Sequence, residues 1–228
     1  MTAVVFDYGG TLAGWTSFKK SLTSIFEHEL AEPIGESLDQ RVAAALLGAP
    51  DEQPDWQGIW QETFRDFDLP FEPELAELHL RAYAESSPIY EMAAGVLAEL
   101  RFCGVKTALL ADVVGPTEIF QRVLEEHGLA DRFDAIVWSS ETGVRKPASA
   151  AFEHVADALA MHPTQLIMVG DSEEQDITPA RDLGWRTVRV YSSGAIPQTE
   201  ADFVVRNRDL PTLFLGPRSA LLQRLSGV

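Results

Sequence analysis

An aspartate that directly follows a short apolar run is the first residue of this chain whose position suggests chemistry. Asp7 comes after the run Ala3–Phe6 and is followed closely by Gly9 and Gly10. The run does not alternate between apolar and polar residues, so it predicts a strand covered by helices on both faces, and the glycines predict a sharp turn beyond it. Ligands bind at the edge where parallel strands end, which makes Asp7 a candidate nucleophile or metal ligand. An ordinary turn is the alternative.

A second aspartate occupies the same kind of position later in the chain. Asp171 follows the unalternating run Leu166–Gly170, and Asp176 comes five residues after it. Two carboxylates that converge on one point repel each other unless a cation neutralises them, and ligand sets made only of oxygen suit Mg²⁺. The alternative is that Ser172 or Asp176 caps the following helix, which is compatible with a metal role.

A lysine followed by proline precedes the helical pattern Ala148–Leu159. Pro147 suits the opening of a helix, so Lys146 is expected beside the positive end of that helix, where an anionic ligand binds. A solvated surface lysine is the alternative interpretation.

Taken in this order, the three segments resemble the haloacid dehalogenase-like hydrolase superfamily. The resemblance extends from Ala3 to about Leu215 and includes a terminal strand at Ala201–Val205. It implies an α/β fold, with a Rossmann-like parallel sheet flanked by helices and an inserted all-helical cap. The implied core domain spans residues 1–13 and 88–228, and the implied cap spans residues 14–87.

The resemblance also implies a mechanism on a small phosphorylated molecule. Asp7 would attack phosphorus and form an aspartyl-phosphate, which divides a difficult hydrolysis into two easier steps. Lys146 would neutralise charge in the transition state, and the backbone N–H groups of Gly10 and Thr11 could bind phosphate oxygens.

A magnesium site is implied by the same resemblance. The ion would be held by Asp7, the carbonyl oxygen of Gly9 and Asp171, with Asp176 bound directly or through water. Mg²⁺ is therefore the expected cofactor.

Two residues depart from the family pattern. Where the phosphatases carry a second aspartate as general acid and base, this chain has Gly9. Such a group typically contributes about 10²–10⁴-fold to the rate, so good leaving groups should suffer least from its loss. The second motif normally ends its strand in Ser or Thr, but Thr107–Ala111 ends in alanine. Asp112 lies at the same edge, where it could substitute as acid and base or serve only as a solvated or capping residue.

Four functions are compatible with these departures. A phosphatase or phosphotransferase explains the retained nucleophile, lysine and metal-binding aspartates. A catalytically impaired module that binds a phosphorylated ligand or a protein would explain Gly9 and Ala111. Family members that displace halide also lack the second aspartate, but that chemistry has no use for a metal. Carbon–phosphorus cleavage needs a cap lysine as a Schiff base, and Lys19 and Lys20 are the nearest candidates.

Composition and charge indicate the cellular compartment and disfavour some classes of partner. The chain has 228 residues, 46% of them hydrophobic, which suffices for one such domain with an insertion. A formal charge of −17 disfavours nucleic acid and anionic membranes as partners. The chain shows no leader and no apolar stretch of the ~20 residues that span a bilayer. The single cysteine, Cys103, excludes an intramolecular disulfide and fits a reducing cytoplasm; we expect it to be packed. No pattern specifies the oligomeric state.

The remaining elements follow from periodicity. A helix-rich stretch continues to about Ser87, with the stripe Trp56, Trp60 and Phe64 at helical spacing. This stripe predicts cap core, with pocket lining as the alternative. After the cap we predict a helix and four strands, in the order Met92–Phe102, Val105–Ala111, Asp134–Trp138, Leu166–Gly170 and Thr187–Tyr191. The alternation of strands and helices indicates a parallel sheet.

Overall fold

The centre of the molecule is a six-stranded sheet in which every strand pairs in parallel with its neighbours. The computed structural model describes residues 2–214. The strands are β1 Ala3–Phe6, β2 Lys106–Ala111, β3 Ala135–Trp138, β4 Leu166–Gly170, β5 Arg186–Tyr191 and β6 Phe203–Arg206. Their spatial order is β3-β2-β1-β4-β5-β6, which places β1 between β2 and β4. This arrangement confirms the predicted α/β fold with a Rossmann-like sheet.

Within residues 2–214, ten α-helices surround or extend the sheet. Those before β2 are α1 Phe18–Ile25, α2 Ala31–Gly48, α3 Trp56–Asp66, α4 Pro73–Ser86 and α5 Met92–Phe102. Those after β2 are α6 Thr117–Glu126, α7 Ser139–Thr142, α8 Ser149–Leu159, α9 Thr178–Asp182 and α10 Leu210–Phe214. A single turn of π-helix, Glu173–Ile177, precedes α9.

Strand β1 is apolar throughout because both of its faces are buried. Val4 and Phe6 belong to one hydrophobic core, and Ala3 and Val5 belong to a second core on the other side of the sheet. Successive side chains of a strand point to opposite faces, so a central strand with helices on both sides has no polar face. The unalternating pattern was therefore a correct signal for this strand.

Helices α1 to α4 form a group that follows β1 without an intervening strand. Trp60 and Phe64 are buried in it, and Trp56 is half-buried. None of these three lines the active-site pocket described below, so the stripe packs between helices rather than lining that pocket. The boundaries of a cap at residues 14–87 stay a prediction; all four helices fall within them.

A buried histidine on α4, His79, contacts both α1 and α3. The Nε2 atom of His79 lies 2.8 Å from the Phe18 carbonyl oxygen, and Trp60 donates its indole N–H to Nδ1 at 3.2 Å. Burial lowers the pKa of His79 to about 4, so this residue is neutral at physiological pH. It has a role in cap packing, as expected for a histidine without metal-ligand spacing.

Several predictions at the ends of elements need adjustment. Cys103 is exposed rather than packed, because it lies just beyond α5 in the turn that leads to β2. Helix α8 begins at Ser149, so Pro147 precedes it by two residues. The terminal strand runs over Phe203–Arg206, shifted slightly from the predicted span. Leu215 and the later part of the predicted core domain lie outside the described residues.

No helix within residues 2–214 is long and apolar enough to cross a membrane.

Candidate active site

The sheet brings the ends of three neighbouring strands together. Asp7, Asp112 and Asp171 each follow directly after a strand, β1, β2 and β4 respectively. Asp7 continues the pairing with β4, because its N–H donates to the carbonyl of Val169 at 2.9 Å. The three side chains therefore share the carboxyl edge of the sheet, where parallel α/β proteins bind ligands.

Lys146 reaches into this edge from the segment between α7 and α8. Its Nζ atom lies 2.6 Å from Oδ1 of Asp7 and 2.7 Å from Oδ1 of Asp176. The residue is 1% exposed, so it is not the solvated surface lysine that the sequence left open. One buried cation thus bridges two carboxylates, and both ion pairs are short and charge-assisted.

Three carboxylates meet at the same point. Asp7, Asp171 and Asp176 each offer an oxygen, and these oxygens all lie within 4.8 Å of one another. Asp176 also accepts a hydrogen bond from the N–H of Ser172 at 3.0 Å, which fixes its orientation. Ser172 caps the following turn by accepting from the N–H of Gln175 at 3.1 Å. The cap and the carboxylate cluster therefore coexist, and oxygen-only ligands of this kind suit Mg²⁺.

The negative charge of the cluster exceeds the positive charge that Lys146 supplies. Burial, opposed by Lys146 and reinforced by Asp176, raises the pKa of Asp7 to about 7. Burial and the nearby Asp176 likewise raise the pKa of Asp171 to about 6, although Arg189 opposes this shift. Burial alone would lower the pKa of Lys146, but Asp176 and Asp7 outweigh it and keep that pKa above its ordinary value. A further cation in the cluster would oppose these two shifts and favour the ionised forms of Asp7 and Asp171.

The two backbone donors predicted to bind phosphate are engaged in the turn after β1. The N–H of Gly10 donates to the Ala13 carbonyl at 2.7 Å, and the N–H of Thr11 donates to the Tyr8 carbonyl at 3.3 Å. Gly10 has a φ of 74°, which the tight turn requires. In this geometry both donors are engaged within the turn that positions Asp7, and their predicted role in binding phosphate stays a prediction. The sequence pattern could not show these hydrogen bonds.

An indole fills the space beside Gly9 where the general acid of related phosphatases would be. A Cβ atom added to Gly9 would lie 2.7 Å from Cη2 of Trp15 and 2.9 Å from its Cζ3. The indole N–H of Trp15 also lowers the pKa of the Asp171 carboxyl, against the larger effect of burial. Position 9 therefore holds no side chain, and a tryptophan from the next segment covers it.

Ala111 and Asp112 lie at the carboxyl end of β2, beside the site. Ala111 is the last residue of β2 and is fully buried, so no hydroxyl is present at the position where the family carries Ser or Thr. Asp112 Oδ1 accepts from the N–H of Lys146 at 3.3 Å, and its Oδ2 lies 3.9 Å from Nη2 of Arg145. Burial raises the pKa of Asp112, with Lys146 and Arg145 opposing it. Asp112 therefore helps to orient the backbone at Arg145 and Lys146.

These groups line a pocket of about 520 Å³ between the strand ends and the helices that follow β1. The carboxylates and Lys146 line its polar floor. Its other walls include the apolar and aromatic residues Tyr8, Trp15, Phe18, Val42, Leu46, Tyr83, Val113, Val114 and Phe120. The volume suits a small molecule with one charged end.

Sequence reasoning missed several residues of this pocket, among them Trp15, Arg145 and Arg189. Arg145 is adjacent to Lys146, and that adjacency could have drawn attention to it. Arg189 follows from the pairing of β5 with β4, since it lies opposite Gly170. Nothing in the sequence around Trp15 indicates that its ring folds back over Gly9.

Comparison with known proteins agrees with this geometry. A family model described as haloacid dehalogenase-like hydrolase matches residues 1–184. The chain is 34% identical over 142 residues to the phosphoserine phosphatase of Thermus thermophilus, covering 62% of this chain and 56% of that protein. It is 29% identical over 219 residues to the phosphoglycolate phosphatase of Vibrio vulnificus, covering 88% of this chain and 90% of that protein. The match thus spans little more than half the length of the first of these relatives.

Solved structures show the same fold. A HAD phosphatase from Thermococcus onnurineus superposes with a TM-score of 0.67 at 26% identity, over 96% of this chain and 100% of that one. The L-2-haloacid dehalogenase of Xanthobacter autotrophicus superposes with a TM-score of 0.69 at 24% identity, over 93% of this chain and 98% of that one. With the family model spanning most of the chain, this protein belongs to the haloacid dehalogenase-like hydrolase family.

Proposed function

We propose that this hydrolase is a Mg²⁺-dependent phosphatase or phosphotransferase that acts on a small phosphorylated molecule through Asp7. The observation that carries the proposal is the pair of short contacts from Lys146 Nζ, 2.6 Å to Asp7 and 2.7 Å to Asp176, in a buried cluster of carboxylates. The similarity to a phosphoserine phosphatase and a phosphoglycolate phosphatase supports the same reaction class.

The reaction proceeds in two displacements. An Asp7 carboxylate oxygen forms a bond to phosphorus while the bond to the leaving group breaks, and the electron pair departs with that group. Water then attacks phosphorus, the bond to Asp7 breaks, and inorganic phosphate is released. A second alcohol in place of water makes the enzyme a phosphotransferase.

Lys146 stabilises charge in both steps. Its ion pairs keep it protonated at neutral pH, and it lies beside the Asp7 oxygen at which charge changes. A fixed cation in a water-poor site stabilises a transition state more strongly than it would in water. The contact with Asp176 holds the ammonium group in place before substrate arrives.

The donor set also fits a magnesium ion. Asp7, Asp171, Asp176 and the carbonyl of Gly9 would hold it, and the raised pKa values of Asp7 and Asp171 reflect negative charge that a cation would compensate. When bound, the ion supplies the positive charge that lets an anionic phosphate approach an anionic nucleophile.

Position 9 limits which leaving groups can depart. No side chain at Gly9 donates a proton, and the adjacent indole has no proton to transfer at neutral pH. Unless Asp112 supplies a proton from the end of β2, the leaving group must depart as an anion or take its proton from water. Acyl phosphates and aryl phosphates satisfy this condition better than alkyl phosphates do.

An impaired phospholigand-binding module is the second candidate, favoured by Gly9 and Ala111. Two other functions have less support. Halide displacement would leave the carboxylate cluster without a purpose. Carbon–phosphorus cleavage would need a reactive cap lysine, but Lys19 is paired with Glu32 at 2.9 Å and Glu36 at 2.7 Å. These pairs keep the pKa of Lys19 above its ordinary value, whereas a Schiff-base lysine needs a lowered one.

A substrate panel separates the two leading candidates. Acetyl phosphate, phenyl phosphate and an alkyl phosphate are each assayed with Mg²⁺ and with EDTA, in the native protein and in Asp7→Asn. Asp182→Asn, at an exposed position of α9, is the matched control. The proposal predicts Mg²⁺-dependent turnover that Asp7→Asn abolishes and the control retains. Mg²⁺-dependent binding of these compounds without any turnover would establish the binding module instead.

A further inference from the structure

Trp15 is an exposed aromatic residue at the wall of the active-site pocket. It is 69% exposed, although its ring contacts Gly9 and its indole N–H reaches Asp171. An indole buries a large area when a ligand covers it, and its flat face favours stacking against another ring. The exposed face of Trp15 is therefore suited to contact with a ligand.

The walls above the polar floor continue this apolar surface. Phe18, Leu46 and Tyr83 line the pocket from the helices that follow β1, and Phe120 lines it from α6. In the proposed function, Asp7 and Lys146 on this floor interact with the phosphate group. The walls thus surround the rest of the substrate, and their chemistry favours an apolar, ring-sized group.

The chemistry at position 9 points in the same direction. Without a proton donor, the bond to the leaving group breaks readily only if the departing oxygen is a weak base. A phenol ionises near pH 10, as tyrosine does, whereas water-like hydroxyl groups ionise near ~15.7. A phenolate therefore leaves with its electron pair far more easily than an alkoxide, and it takes its proton from water afterwards.

We propose that the substrate is an aryl phosphate, with its ring stacked on Trp15 and its phosphate at Asp7. The inference rests on the proposed phosphatase activity and names the substrate class for that same site. Two independent observations converge on it, namely the missing acid at Gly9 and the exposed indole that covers that position.

The first test is a specificity ratio. We compare kcat/KM for phenyl phosphate with kcat/KM for acetyl phosphate, which has a good leaving group but no ring. Trp15→Ala should lower this ratio at least fivefold, mainly through KM for the aryl substrate, because losing a stacked ring contact of about 1–3 kcal/mol corresponds to roughly 5–140-fold. Trp15→Phe keeps a ring without the indole N–H and should stay within threefold of the native ratio. Phe102→Ala removes an aromatic side chain that is 86% exposed outside the pocket, and should leave the ratio unchanged.

A third substrate tests the main competitor. Arg145 is 4% exposed and lines the pocket, and two of its nitrogens have no hydrogen-bond partner among the described residues. A substrate with a carboxylate could use that cation. If 2-phosphoglycolate has a higher kcat/KM than phenyl phosphate, the aryl assignment is wrong.

The ring contact can also be measured without turnover. The dissociation constant of phenylphosphonate is compared with that of methylphosphonate by calorimetry, with Mg²⁺ present. We expect tighter binding of the phenyl compound in the native protein and loss of that preference in Trp15→Ala. Equal affinities, or a preference that survives in Trp15→Ala, would overturn the inference. Absence of turnover on every phosphate, with the phenyl preference retained in the phosphonate comparison, would overturn the proposed function and leave Trp15 as a contact for a bound aryl phosphate rather than for a substrate.

Discussion

Lys146 lies between two buried carboxylates, Asp7 and Asp176, and is the cation to which both are paired. Lys146→Met keeps the length of the side chain and removes its charge. Breaking a buried pair in this way costs about 3–5 kcal/mol, so we expect a loss of unfolding free energy of that order at pH 7.5 in EDTA. The loss should be smaller at pH 5, because the unpaired carboxylates can then bind protons.

Denaturant unfolding of Lys146→Met at the two pH values measures this effect. Lys20→Met is the matched control, since Lys20 is exposed on α1. A loss that is equal at pH 5 and pH 7.5 would show that the charge of Lys146 is not what stabilises the site.

Asp171 gives a second prediction at the scale of single residues. Its pKa is raised from 3.8 to about 6, so between these values the folded state binds more protons than the unfolded state. Stability of the metal-free protein therefore falls as the pH rises through this window. Asp171→Asn removes this penalty and should raise the Tm at pH 7.5 in EDTA, by roughly 2–4 °C per 1 kcal/mol relieved.

Differential scanning calorimetry across pH 4 to 8 tests the sign of this change in Tm. The advantage of Asp171→Asn should disappear near pH 4 and reverse at pH 7.5 when Mg²⁺ is added, because Mg²⁺ binding stabilises only the folded native protein. A variant that is less stable than the native protein at pH 7.5 in EDTA would contradict the assignment.

At the scale of elements, the loop after β1 decides whether the missing acid can be restored. Gly9 does not have a positive φ, so its backbone tolerates a side chain. The obstacle is the ring of Trp15, 2.7 Å from where a Cβ would lie. Gly9→Asp alone should therefore gain less activity on an alkyl phosphate than the double variant Gly9→Asp with Trp15→Ala.

The gain in the double variant is bounded by the ~10²–10⁴-fold that general acid–base catalysis contributes, and it should exceed the gain on a nitrophenyl phosphate. Initial rates on both substrates for the native protein, each single variant and the double variant provide the comparison. Equal gains for Gly9→Asp with and without Trp15 would mean that the ring moves aside freely.

Strands and helices were predictable because their signals are local. The run Leu166–Gly170 and the helix Met92–Phe102 have the predicted bounds, since continuous burial and helical periodicity are both encoded in neighbouring residues. Loops between elements were less predictable. The loop between α2 and α3 contacts segments that follow β2 and α7. Gln53 donates to the Val113 carbonyl at 2.6 Å, and the Asp51 carbonyl accepts from the N–H of Arg145 at 3.0 Å. Such contacts depend on how the chain folds back, which no local pattern shows.

At the scale of the whole molecule, the sheet order explains why the site was largely predictable. Asp7 and Asp171 follow strands that are neighbours, so two motifs more than 160 residues apart in sequence meet at one edge. Lys146 was predicted as a site residue on family resemblance, and its contacts support that role. Trp15 was not predicted, because its position over Gly9 depends on the path of the chain between β1 and α1. The overall charge of −17 gave no information about the site, where one lysine faces three carboxylates.

In the proposed mechanism Asp7 becomes covalently phosphorylated during turnover. The most direct measurement is intact-protein mass spectrometry after rapid acid quench of a reaction with acetyl phosphate and Mg²⁺, followed by mapping of the modified peptide. We predict one phosphoryl group per chain on Asp7, absent in EDTA and absent in Asp7→Asn. Turnover in the native protein without this adduct even at the shortest times, or an adduct that persists in Asp7→Asn, would contradict the account.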